Sequence, residues 1–368
     1  MASNFSIKFG SYVQQLVFST TTTDLSKMTS TSNILTTLPL LPLSHILKKL
    51  SIQDLLNLSS ENELIGKFIQ NIPIRSGGYD IYFDERGCYV QMLKQNFYFQ
   101  RWDKNSAVVI ETFFDYFNVC KTAFPGQINK LDVCPLTFSQ MIHSLPNECN
   151  FLSIGKEADC FSEYELEDME SCPQSTLDAL LDHVNFKKGL ALNGPFELPT
   201  ENEKVFKIDW LRVNNSAWMD ISIVQRLQNK MIHLLDSYLT DEDVNSLVQK
   251  FVSGTWNNGL KVMTIHKEGG WSMDTVLKGL KSENIKNQTF KLDKEHIECI
   301  DYSDRWYEDG ENLRNGFNIT RPDGVVFTVD SLAYTLRIHV WSSKTEKSVS
   351  RKRGSDESIG GSPKKRCF

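Results

Sequence analysis

A short motif, one aliphatic residue, any residue, then a second aliphatic, recurs six times between positions 131 and 262. The pairs are Leu131/Val133, Leu152/Ile154, Leu190/Leu192, Leu211/Val213, Ile232/Leu234 and Leu260/Val262. Successive spacings are 21, 38, 21, 21 and 28 residues. Four of these five fall within the ~20–29-residue period of leucine-rich repeats, where each repeat supplies one short strand and a return segment. The long interval holds the acidic stretch from Glu157 to Glu170, which reads as a surface insertion. Asn193 and Asn214 follow their strands as in an L-x-L-x-N pattern. The segments TFSQMIHSL, QSTLDALLDHV, ISIVQRLQ and DEDVNSLVQKF separate most of the pairs and have helical character. Strand–helix alternation with short links implies parallel strands. Thr240 before Asp241 and Glu242 is a good N-cap with acids in the first turn. Two architectures follow over 127–280. One is an irregular leucine-rich-repeat-like α/β solenoid, and the other an ordinary α/β sheet in which such pairs recur by chance.

The flanks have a different period. YDIYFDE, CYVQML and FYFQRW alternate with period two between 79 and 102, and the link from Asp84 to Gly87 suits a turn. FNIT, VVFTV and YTLRIHVW repeat the pattern near the end. Between the first two of these lies Arg321-Pro322-Asp323-Gly324, with proline second and glycine fourth as a tight reversal prefers. Both flanks read as antiparallel β meanders, over 76–126 (with a linker) and 281–342. Residues 1–33 are rich in Ser and Thr and predict a disordered leader; 343–368 predict a disordered basic tail. Residues 34–75 predict three short helices. The first carries Leu43, Ile46, Leu47 and Leu50 at helical spacing behind Pro42, the second Leu55, Leu56 and Leu58 behind a Ser51 cap, and the third Leu64, Ile65, Phe68 and Ile69. Such a unit has more leucine than one small core can hide, so part of it should face a partner or the next domain.

Composition narrows the function classes. With 368 residues, 40% of them apolar, the chain is long enough for two or three units with real cores. Net charge is −6, but residues 344–368 hold eight Lys/Arg against three Asp/Glu, leaving −11 on the remainder. An acidic body argues against a nucleic-acid partner, which would require cations on the folded surface. No apolar run approaches the ~20 residues of a membrane span, and the N-terminus does not read as a secretory signal. The expected location is therefore cytoplasmic, nuclear or both. Eight scattered cysteines with no C-x-x-C suggest reduced thiols and no metal site.

The sequence contains no dinucleotide-binding glycine fingerprint, phosphate-binding loop, zinc-protease helix motif or serine elbow. The acidic groups at Glu163–Glu170 and Asp301–Glu311 fix no coordination geometry and read as solvated loops, as do Gly77-Gly78 and Gly269-Gly270. No cofactor is expected. Trp210, Trp218, Trp256 and Trp271 sit near strand or helix ends, as core packing or as anchors for a ligand protein.

Two stretches carry a family resemblance. LPLLPLSHILKKLSIQDLLNLS resembles an F-box, with its Leu-Pro opening, aliphatic stripe and second Leu-Leu helix. The region from about Gln127 to Trp341 is similar to the F-box-associated domain, type 2, of an expanded nematode family. It carries IDWLRVNNSAW at 208–218, a helix after Leu239-Thr240 with Asp243 and Asn245, and the closing FNITRPDGVVFTV and IHVW. After Leu58-Ser59 this chain reads Ser60-Glu61-Asn62-Glu63, where the family has small or apolar residues followed by basic ones. The resemblance implies a non-catalytic subunit of a ubiquitin ligase. The F-box would bind a Skp-type adaptor and through it a cullin, while the C-terminal region captures a protein substrate. Tethering would then raise the effective concentration of substrate lysines near the conjugating enzyme. The alternative is a protein-interaction scaffold outside any ligase.

Three sets of residues follow as candidates. Leu41, Pro42, Ile46, Leu47, Leu50, Leu55 and Leu56 are the expected adaptor surface. Lys352-Arg353 and Lys364-Lys365-Arg366 have the spacing of a bipartite nuclear import signal. For substrate, strand alternation turns the residue between each aliphatic pair toward an open face. That rule selects Asp132, Arg212, His233 and Lys261, with Asn214 beside them, as well as Ser153, Ala191 and Asn193. Arg212, His233 and Lys261 would then stack into a positive ridge for an acidic or phosphorylated segment.

Overall fold

The structure is a computed structural model. It describes residues 52–71, 78–83, 87–92, 95–101, 124–135, 142–155, 172–194, 201–292 and 311–341, with isolated positions at 43, 47, 50, 110, 113–115, 117, 118, 120, 121 and 196. The leader, the insertion at 157–170 and the tail, including the import-signal residues, lie outside the described residues, as do Leu41, Pro42 and Ile46. The chain divides into two compact units, 1–131 and 132–368. The architecture is mixed α/β, and no helix among the described residues is long and apolar enough to cross a membrane.

In the first unit, Leu43 and Leu47 are helical, and helices α1 (Ile52–Glu61) and α2 (Glu63–Asn71) pack on each other. The unusual tetrapeptide at 60–63 is the joint between them. Asn62 Oδ1 accepts from the backbone N–H of Leu64 and Ile65 at 3.0 and 3.2 Å, capping α2. Leu47, Leu55 and Leu56 are at most 2% exposed, so they belong to the unit's own core and not to a partner-facing surface. The reason is geometric: the aliphatic stripe that marks an amphipathic helix is the stripe its neighbour covers. Leu50 is half-buried, while Leu64 is 69% exposed.

Strands β1 (Tyr79–Phe83), β2 (Gly87–Met92) and β3 (Gln95–Arg101) form the expected antiparallel meander. Tyr82 and Tyr89 face each other across β1 and β2 and stack at 4.5 Å. Strand β4 (Ile128–Val133) carries the chain into the second unit.

There, β5 (Glu148–Ile154), β6 (Asn185–Leu192), β7 (Trp210–Val213), β8 (Met231–Leu234) and β9 (Val262–His266) pair in parallel and in sequential order. Strand β13 (Thr335–Val340) then pairs antiparallel with β9 and continues into β12 (Val326–Leu332), β11 (Glu311–Thr320) and β10 (Glu283–Phe290). Helices α3 (Gln174–His183), α4 (Glu203–Lys207), α5 (Ile221–Val224), α6 (Asp241–Val252) and α7 (Met273–Val276) fill the links.

The aliphatic pairs align as rows: Leu152, Leu190, Leu211 and Ile232 in one, Ile154, Leu192, Val213 and Leu234 in the next. The sixth pair does not join them. In β9 the partners of Ile232 and Leu234 are Met263 and Ile265, three residues later than Leu260 and Val262. Leu260 is buried in a turn, its N–H bonded to Asn257 O, and the strand begins only afterwards. Helix α6 covers this face: Phe251 meets Phe327 edge-on at 5.0 Å.

The other face is not open. Strand β10, at polar positions that sequence periodicity leaves unmarked, brings Phe290 against it. Phe290, Leu292 and Leu313 form one buried cluster with Ala191, Trp210, Met231 and Val262, and Trp341 closes the side. Beside the cluster lies a buried polar group. Arg337 Nε donates to Asp330 Oδ1 at 3.0 Å, and Nη2 bonds Oδ2. His339 Nε2 lies 3.8 Å from the same carboxylate. Burial, then Arg337, then His233, hold the His339 imidazole down at about 3. Unfolded, that ring titrates near ~6.5. The unfolded chain therefore binds the extra proton between these values, so this contribution is complete above ~6.5 and is lost as pH falls toward 3. Asp330 acts in the opposite sense in the acid range, since burial pushes its carboxyl up although Arg337 draws it down. Urea midpoints at neutral and acid pH should therefore show a loss on the order of 2 kcal/mol in the wild type and a smaller one in His339→Gln.

Candidate functional site

The expected cationic ridge does not form. Parallel register places Arg212 beside His233 and His233 beside Thr264, so Thr264 occupies the position assigned to Lys261. Lys261 stands before the strand, its N–H bonded to Lys230 O. The other two are engaged inside the unit. Arg212 Nε donates to Asn214 Oδ1 at 2.8 Å. His233 is 5% exposed, with Nδ1 2.8 Å from Thr264 Oγ1 and its ring against Trp210. Asn193 Nδ2 donates to Ser153 Oγ, both buried, and Ala191 belongs to the Phe290 cluster. Asp132 is half-buried in β4. The face selected by strand alternation is thus largely interior.

Among the described residues, an accessible groove lies at the carboxyl ends of β7, β8 and β9, where parallel α/β sheets commonly open a crevice. Loops after these strands enclose a groove of about 760 Å³. Its floor is the Lys267–Asp241 pair, 2.7 Å apart and both side chains at most 20% exposed. Lys267 also lies 4.0 Å over the Trp271 ring, and Asp241 Oδ2 accepts from Ser272 N–H. One wall is the start of α6. Thr240 Oγ1 accepts from Asp243 N–H while Asp243 Oδ2 accepts from Thr240 N–H, a reciprocal cap that fixes the helix end. The opposite rim is Glu268, Gly269 and Gly270, with both glycines at positive φ (83° and 75°) where a side chain would strain the backbone.

The groove is acidic and aromatic. Asp236, Asp241, Glu242 and Glu268 line it against a single lysine. Tyr238 projects from the β8 loop at 82% exposure. It is held outward by its neighbours: Ser237 and Leu239 are buried on either side, Ser237 N–H donates to His266 O, and Leu239 N–H donates to Ser237 Oγ. Outside the lining, the β12–β13 turn carries exposed Leu332 and Tyr334, and the Tyr334 carbonyl accepts from Lys267 N–H and Trp271 Nε1. Of the four tryptophans considered from sequence, Trp210 and Trp256 are core, while Trp218 and Trp271 are half-buried. No group of metal-ligating side chains occurs among the described residues. Sequence reasoning missed this groove because it followed strand positions, whereas the lining belongs to loops and the first turn of α6. Asp241 and Glu242 behind Thr240, and Gly269-Gly270, were its visible marks.

No protein-family model matches the chain, nor does any curated protein or solved structure.

Proposed function

We propose that this chain is the substrate-recognition subunit of a Skp-cullin-F-box type ubiquitin ligase. The first unit docks the adaptor, and the second, read as a leucine-rich-repeat-like array, captures a protein substrate. The observation that carries this reading is Leu64. It is 69% exposed on α2, four residues from half-buried Phe68 on the same side of the helix, within a leucine-rich module whose other described leucines are at least half-buried. An exposed aliphatic beside a filled core is what a docking helix presents to a partner. The sequential parallel strands lie in a compact unit of their own, which supports the reading that adaptor and substrate are bound by different parts of the chain.

Calorimetric titration of the full chain with a Skp-type adaptor tests the proposal. Leu64→Asp sits outside the core and should leave the fold intact by circular dichroism while weakening adaptor binding on the order of 10²-fold. Unchanged affinity in a folded variant would remove the assignment of α2 to the adaptor surface.

A further inference from the structure

At the groove mouth, the carboxylates divide into two sets. Asp241 is engaged by Lys267 and Ser272, and Asp243 by the helix cap. Glu242 and Glu268 are exposed and make no hydrogen bond or ion pair among the described residues. Asp236 is exposed too, at positive φ (52°), with His266 Nδ1 3.6 Å away. The lysine of the lining is 17% exposed beneath them, enclosed by Asp241 and the Trp271 ring, and so offers little to an incoming anion. The surface therefore presents three available negative charges around an outward tyrosine. Its sign is opposite to that expected of the strand-face ridge.

We propose that this groove captures an extended arginine- or lysine-rich segment of a partner protein, with Asp236, Glu242 and Glu268 meeting its cations and the Tyr238 ring stacking on one of them. Charge-assisted contacts supply selectivity for basic segments, and the cation–π contact adds to them at a ring already fixed in place. Loop 236–239 is tied down by Ser237 and Leu239, so little ordering is required when the segment binds. The inference names the substrate class of the receptor proposed above and rests on the reading of the second unit as its capture surface.

Fluorescence anisotropy with the full chain and no adaptor provides the test. The probe is a short fluorescein-labelled peptide alternating arginine and glycine, compared with its glutamate counterpart. The arginine peptide should bind saturably and weaken as salt rises, and the glutamate peptide should not bind. Asp236→Asn with Glu242→Gln and Glu268→Gln should weaken binding roughly tenfold or more. Tyr238→Ala should weaken it about three- to fivefold. Glu201→Gln with Glu203→Gln, which precede the opposite end of β7, should change nothing. No saturable binding, equal binding of the glutamate peptide, or unchanged binding by the triple variant overturns the proposal. Binding that appears only after deletion of 344–368 overturns it in favour of the chain's own basic tail. Self-association abolished by the triple variant overturns it in favour of a second copy. Because the adaptor is absent, these failures are distinct from a failure of adaptor binding.

Discussion

Replacing Arg337 with leucine is expected to destabilise the second unit by about 3–5 kcal/mol, as removing one partner of a buried ion pair does. Asp330 is 1% exposed and lies directly across β12–β13 from Arg337. The guanidinium meets both carboxylate oxygens, so its loss strands a buried charge with nothing of equal strength to replace it. Asp330→Leu with Arg337→Leu removes the charge as well as its partner and should recover most of the loss. Arg337→Lys keeps the charge but not the fork and should fall between the two. Urea unfolding measures all three. A loss below about 1 kcal/mol for the single leucine variant would be that of a solvent-screened surface pair and would contradict the buried geometry.

Phe290→Ala should cost about 3–5 kcal/mol, the range for truncating a buried aromatic. Phe290 is 2% exposed, 4.5 Å from the His339 ring and 5.4 Å from Trp341, within the cluster that covers Trp210 and Met231. Truncation leaves a cavity between β10 and the parallel strands, so tryptophan emission should shift to the red along with the lower midpoint. A change within ~0.5 kcal/mol, typical of a surface substitution, would mean that β10 does not close this face.

These effects fall where the sequence was hardest to read. Aliphatic pairs from Leu152/Ile154 to Ile232/Leu234 identify the parallel rows because a buried strand must place a side chain on the helix-covered face at every second position. Leu260/Val262 satisfies the same spacing with Leu260 in a buried turn and Val262 opening β9 on the opposite face, since burial alone does not distinguish a strand from the loop before it. That three-residue slip moved Lys261 into a row that Thr264 occupies. Strand β10 reads Glu-Asn-Ile-Lys-Asn-Gln-Thr-Phe, with only Ile285 and Phe290 as large apolar residues, too few to mark a period. Since that strand supplies the cover, the buried state of His233 was equally hidden.

The functional surfaces show the same division. Helical periodicity marks Leu47, Leu55 and Leu56, which neighbours bury, and it marks Leu64 equally, which stays exposed beside buried Ile65 and Ile69, so the period alone does not separate core from surface. The groove depends on loop conformation: Asp236 at positive φ, two glycines in succession, and Tyr238 held between buried neighbours. None of these has a repeating period. Their chemistry was present in the sequence, but their convergence required the order of β7, β8 and β9.

If the leucine-rich helical module recruits an adaptor while the second unit carries the capture surface, gel filtration of the purified full chain with a Skp-type adaptor and its cullin will show it. The expected result is a ternary complex that Leu41→Ala with Pro42→Ala disperses and that neutralising Asp236, Glu242 and Glu268 leaves intact. A folded wild-type chain eluting apart from the adaptor at micromolar concentration would contradict it.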